Sequence, residues 1–168
     1  GVALHEMIYD ENGHPVDYVI LKANLAYENH TNLARESVIG KRASEAYGTD
    51  EPPFLDTYAQ VVATGQPVDF EERYPPLRKH FHITAFSPTE GQFATVFEDI
   101  TERKRAEQKY DQLFENMPSG VAVYEPVDNG EDFVFVDFNE AAEALESVER
   151  DRVIGKRVAR AFPGVRDL

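Results

Sequence analysis

Two short runs rich in apolar and β-prone residues, 2–9 and 16–23, flank the turn-forming sequence Asp10-Glu11-Asn12-Gly13, so the chain is predicted to begin with an antiparallel hairpin. Over residues 24–48 the apolar positions Leu25, Leu33, Val38 and Ile39 take helical spacing that breaks at Gly40 and Gly48, which predicts short helical turns in series. A longer helix is expected after Pro52-Pro53, with Phe54, Leu55, Tyr58, Val61 and Val62 on one face and Gly65 as its stop. Alternation returns in residues 67–74, 80–86 and 92–98, and Ser87-Pro88-Thr89-Glu90-Gly91 supplies turn chemistry between the last two runs. This order predicts an α+β fold, a five-stranded antiparallel sheet with helices on one face.

A second helical pattern follows at Asp99-Ile100-Thr101-Glu102-Arg103-Lys104. Asp99 with Glu102 can make a capping box, and Thr101 is an alternative cap. Ala106, Tyr110, Leu113 and Met117, with Phe114 beside them, form one apolar seam that ends at Pro118 and Gly120. The chain then repeats itself. Val38-Ile39-Gly40-Lys41-Arg42 recurs as Val153-Ile154-Gly155-Lys156-Arg157, and the same register superposes Asn24 on Asn139, Glu28 on Glu143 and Arg35 on Arg150. Gly1-Val2-Ala3 matches Gly120-Val121-Ala122 at an offset four residues longer, so the second copy is shortened upstream of its Asn, most simply at the hairpin turn. A period this long means tandem domains.

Strand pair, terminal Asn, short helices with a Val-Ile-Gly-Lys segment, long helix, three strands and the closing Asp99-Ile100-Thr101 before a basic helix start together resemble a PAS domain of prokaryotic sensor histidine kinases and related signalling proteins. The resemblance implies a PAS domain over residues 1–101, a linker or signalling helix over 102–118, and the N-terminal half of a second PAS domain over 119–168. It also implies a relay at Asp99, Ile100 and Thr101 into the following helix, and a first strand lying centrally between the second and the last. Since the sequence starts mid-pattern at Gly1, a fragment of a longer protein is expected, with any kinase core elsewhere.

Composition narrows the chemistry. The 168 residues are 42% hydrophobic, too apolar for a disordered acidic tail. Thirty-one acidic against seventeen basic residues give a formal charge of −14, which repels phosphate backbones and anionic lipid, so neither nucleic acid nor a membrane surface is an expected partner. The acidic residues are spread along the chain, as a generally solvating surface suited to high salt would be. No run is long and apolar enough to cross a membrane, and a cytoplasmic location is expected. There is no Cys, hence no thiolate chemistry and no Cys-linked flavin adduct or thioester chromophore. Haem-binding PAS domains use a His on the long helix, and residues 52–65 contain none.

No cofactor is identifiable from these residues, although a small organic ligand is compatible with them. The candidate pocket comprises Asn24, Phe54, Tyr58, Val61, Phe81, Ile83 and Phe93, between sheet and long helix, although such residues more often form plain core. A cavity of about 300 Å³ would favour ligand sensing, and a filled core would favour a dimerising scaffold. His80 and His82 share a strand face but lack a third metal ligand. Glu71-Glu72-Arg73 and Arg78-Lys79 read as cross-strand charge pairs, and Gly40-Lys41-Arg42 reads as a helix terminator because it lacks the phosphate-loop pattern. No nucleophile or general base stands in recognisable context, so a non-catalytic module is expected, with a second copy of itself and neighbouring PAS or kinase domains as partners.

Overall fold

Asp10 accepts hydrogen bonds from the backbone N–H groups of Asn12 (2.9 Å) and His14 (2.8 Å), and Gly13 takes a φ of +81° that a side chain would resist. This turn joins β1 (Val2–Tyr9) to β2 (Pro15–Ala23) in the computed structural model of the chain, which describes residues 1–162. Three short helices follow, α1 (Leu25–Thr31), α2 (Arg35–Val38) and α3 (Ala43–Tyr47), then α4 (Leu55–Thr64), which stops at Gly65 with φ +69°. Strands β3 (Val68–Tyr74), β4 (Lys79–Phe86) and β5 (Gln92–Asp99) complete an antiparallel sheet of order β2-β1-β5-β4-β3. The first strand is therefore flanked by the second and the last.

Tyr58 and Val61, three residues apart on α4, face the sheet and join Met7, Tyr18, Phe81, Ile83 and Phe93 in the main core. A second cluster of Ala3, Ile20, Tyr27 and Val38 lies under the short helices.

The repeated pentapeptide closes a sheet edge. Gly40 N–H donates to the Ile20 carbonyl (2.7 Å), Ile20 N–H donates to the Lys41 carbonyl (3.0 Å), and Arg42 bridges to Val19. In the second copy Gly155 and Lys156 make the same pair of bonds to Phe135 (2.9 and 3.1 Å), and Arg157 bridges to Val134. Val38 and Val153 anchor the two segments in their cores, and the backbone at Gly40 and Gly155 needs φ of +82° and +73°. The segment does follow a helix, but its physical role is to cap an edge strand that would otherwise offer unpaired backbone groups. Glu28 and Arg35, also repeated, form a local brace in which the Glu28 carboxylate accepts from Arg35 N–H (2.7 Å), and Glu143 accepts from Arg150 N–H in the same way.

Helix α5 runs Thr101–Glu115, three residues shorter at its end than the predicted 102–118. Of its predicted seam only Phe114 is buried, whereas Ala106, Tyr110, Leu113 and Met117 are exposed. The chain divides into two compact units, Gly1–Lys104 and the part from Arg105 onward. The second unit contains β6 (Ala122–Val127) and β7 (Asp132–Phe138), then α6 (Glu140–Glu146), α7 (Arg150–Val153) and α8 (Val158–Ala161). Its hairpin has shorter strands and a 3₁₀ turn at Asp128–Gly130, which accounts for the offset change in the repeat. Phe135, Phe138, Ala142 and Val153 form its core. Residues 163–168 of the predicted third segment lie outside the described residues.

Candidate functional site

Two features of the first unit combine chemistry with burial, the junction of β5 with α5 and a cavity beneath the sheet. At the junction the Asp99 carboxylate accepts from Thr101 N–H (3.0 Å) and from the Thr101 hydroxyl (2.5 Å). That hydroxyl oxygen in turn accepts from His80 N–H (3.0 Å), while Ile100 N–H donates to the His80 carbonyl (2.9 Å). Asp99 thus closes an Asx-type turn onto the first residue of α5. Ile100 and Thr101 are buried, so Asp99, Ile100 and Thr101 meet in one locus where β4, β5 and α5 converge.

Lys79 and Glu71 belong to this locus as well. Lys79 Nζ donates to the Asp99 carboxylate (2.9 Å) and to the His30 carbonyl (2.7 Å), tying the end of α1 to the start of α5. Lys79 does form the expected cross-strand pair, but Glu71 instead leaves the sheet to meet Lys104 (2.7 Å) and Arg103 (2.6 Å) on α5. Bonds from Lys104 and then Arg103 hold the Glu71 carboxyl down at about 2. Partial burial pushes the Asp99 carboxyl up, yet the bonds from Thr101 and Lys79 together outweigh it and leave it below the usual range. Both groups are therefore carboxylates at neutral pH, and their contribution to stability is lost as pH falls into the acid range.

The cavity, about 50 Å³, is lined by four of the predicted residues, Phe54, Tyr58, Phe81 and Ile83, together with Phe97. Phe54 sits at φ +57°, a left-handed conformation unusual for a bulky side chain, and packs its ring on Tyr58, Phe70 and Tyr74. The other three predicted residues are elsewhere. Val61 is fully buried in the core, and Phe93 is stacked between His5 (4.7 Å) and Tyr58 (4.6 Å), so neither lines the cavity. Asn24 is exposed and uses its side-chain oxygen to accept from Val2 N–H (3.0 Å) and Tyr27 N–H (2.9 Å), capping α1.

His5 was not distinguishable in sequence, yet it is a polar group of this wall. It is 3% exposed, its Nε2 meets the Thr95 hydroxyl (3.1 Å), and its Nδ1 has no partner. Burial lowers its pKa to about 3, so the ring is neutral. Between pH 6.5 and 3 an unfolded chain binds a proton that the folded chain refuses, so stability falls as pH falls. From pH 6.5 to 5 the loss from this group should be roughly 1.5–2 kcal/mol. Comparing denaturation midpoints of wild type and His5→Phe at pH 7 and 5 checks it. The variant should lose less stability, and an equal loss in both would assign the acid sensitivity elsewhere.

His82 pairs with Asp69 (2.7 Å) on the sheet surface, and this bond raises its pKa. His80 engages Thr101 through its backbone. Among the described residues no group of three or more His, Cys, Asp or Glu is placed to hold a metal ion, and no helix is long and apolar enough to cross a membrane.

A family model described as PAS fold matches residues 16–105, and a second, described as PAS domain, matches residues 108–166. No curated protein matches the chain.

Proposed function

The chain belongs to the PAS family, a family of sensory and signalling modules, and from that premise we propose that its first unit relays a signal from the sheet into α5 through Asp99, Ile100 and Thr101. The observation that carries this reading is the double role of Lys79, whose ammonium binds both the Asp99 carboxylate and the His30 carbonyl. A displacement of α1 or β4 reaches the first turn of α5 through one side chain. The parent in this reading is a cytoplasmic sensor histidine kinase or a related signalling protein, and the fragment itself is non-catalytic. Its partners are a second copy of the chain and neighbouring PAS or kinase domains, and the exposed seam of Ala106, Tyr110, Leu113 and Met117 is the surface a partner helix would cover. No flavin or haem takes part.

A second reading, a scaffold that dimerises without a ligand, is favoured by the cavity volume. About 50 Å³ is far below the roughly 300 Å³ at the lower end of ordinary ligand pockets.

Asp99→Ala tests the relay. Loss of the turn should cost about 1 kcal/mol and speed amide exchange about fivefold in the first turn of α5, with the sheet still protected. Unchanged exchange there would contradict a tethering role for Asp99.

A further inference from the structure

We propose that His82 makes the hold of Glu71 on α5 sensitive to pH: a proton on its imidazole draws the Glu71 carboxylate back toward the sheet and weakens its contacts with Arg103 and Lys104. As a signal input this rests on the reading of α5 as the output helix. The geometry comes from the sheet register. Glu71 on β3 stands directly opposite His82 on β4, so the two side chains share one face of the sheet and are close neighbours. Asp69 lies on the same face, two residues earlier on β3, and is fixed from both sides. Its Oδ1 meets His82 Nε2 (2.7 Å) and its Oδ2 accepts from the Thr84 hydroxyl (2.7 Å). Glu71 therefore has two cationic destinations, the side chains of Arg103 and Lys104 at any pH and His82 only when it is protonated.

The charged and titratable groups around His82 fix the sign of the effect. Asp69 and Glu71 face it from β3, Glu98 lies directly opposite on β5, Arg103 acts on it from α5, and His80, paired with Arg73, shares its face of β4. While His82 is neutral, the Asp69 charge repels Glu71 and favours its contact with α5. Once His82 is protonated, the Asp69–His82 pair is close to neutral, Glu71 gains an attraction at the sheet, and the imidazolium repels Arg103. All three changes act in one direction. The hydrogen bond to Asp69, above all, raises the His82 pKa against desolvation, with the charges of Asp69 and Glu71 adding to the rise and Arg103 opposing it. The proton is thus gained above pH 6.5, where Glu71 and Asp99 remain carboxylates and His5 remains neutral. By linkage the coupling is reciprocal, so a change at Arg103 or Glu71 must move the titration of His82.

The test is an NMR titration of the full chain between about pH 5.5 and 8, following the His82 ring signal together with amide exchange at Lys104, whose N–H donates to the Ile100 carbonyl (2.9 Å). After correction for the intrinsic pH dependence of exchange, Lys104 should exchange about twofold faster when His82 is protonated, with a midpoint that coincides with the His82 titration and lies above 6.5. His82→Gln, whose side-chain amide can still bond to Asp69 but does not titrate, should abolish this step. Arg103→Gln should move the His82 midpoint to higher pH and Glu71→Gln to lower pH, each by roughly 0.2–0.5. A step that persists in His82→Gln, or a His82 midpoint unmoved in both other variants, would overturn the proposal. Asp99→Ala separates it from the relay. A His82-dependent step beside unchanged Lys104 exchange in Asp99→Ala supports the proposal and contradicts the relay through Asp99, whereas no step beside a loosened α5 in Asp99→Ala contradicts the proposal alone.

Discussion

Replacing Phe93 by alanine is expected to destabilise the first unit by about 3–5 kcal/mol, the range for removing a fully buried aromatic side chain. Phe93 has no exposed surface and holds three aromatic neighbours at once, His5 and Tyr58 as stacked partners and Tyr18 edge-on at 5.2 Å. Its removal takes away both the transfer free energy of the ring and the support that fixes the His5 plane. The structure around it can collapse only partly, because Tyr58 is held on α4 and His5 on the central strand. For a unit of this size about 1 kcal/mol corresponds to a shift of roughly 4–8 °C, so thermal melting should move by well over 10 °C. Leu25→Ala, at a side chain 59% exposed in the same unit, is the control and should change stability by no more than about 0.5 kcal/mol. A Phe93→Ala loss as small as that of the control would mean that this core repacks freely.

Asn139→Ala should have the next largest effect, about 2–4 kcal/mol on the second unit, while the equivalent change at Asn24 should cost about 1 kcal/mol on the first. Both residues end a second strand and cap the helix that follows. Asn139 is fully buried and makes four side-chain bonds: its oxygen accepts from Val121 N–H (2.8 Å) and Ala142 N–H (3.0 Å), and its amide donates to the carbonyls of Phe114 (2.9 Å) and Ser119 (3.1 Å). Asn24 makes the first two of these bonds at an exposed position where water replaces a lost partner. Chemical denaturation of the two variants, followed by a probe in each unit, should rank them in this order. Equal losses would show that the two donor bonds to Phe114 and Ser119 contribute nothing.

That contrast also marks how far the sequence could be read. Asn24 and Asn139 stand out by repetition, but burial and the two extra acceptors of Asn139 depend on residues 114 and 119, far away in sequence. The hairpins, α4 and β5 were legible because turn residues, Pro52-Pro53 and Gly65 act locally. Asp99, Ile100 and Thr101 were legible from their motif as a unit, and they do meet at the start of α5. Lys79 was legible only as one charge in a pair, since its bond to Asp99 follows from the β4–β5 register and its bond to the His30 carbonyl from where α1 ends. Glu71 was expected within the sheet and instead holds α5, because Arg103 and Lys104 come within reach only once β5 has turned at Ile100. His5 sat unnoticed in a strand run, since nothing local says which face of β1 is dry. Phe93 and Val61 were grouped with the cavity wall although the true wall includes Phe97, as a period-two pattern identifies a face but not which of its residues border a void.

The central claim is that Lys79 and Asp99 act together in holding the start of α5. A double-mutant cycle with Lys79→Met, Asp99→Asn and the double variant, read by amide exchange at Lys104 and by denaturation, tests it most directly. A coupling of about 0.5–1 kcal/mol or more is predicted, with faster exchange at Lys104 in both single variants and little further change in the double. Additive effects on stability, with exchange at Lys104 unaltered by Lys79→Met, would contradict it.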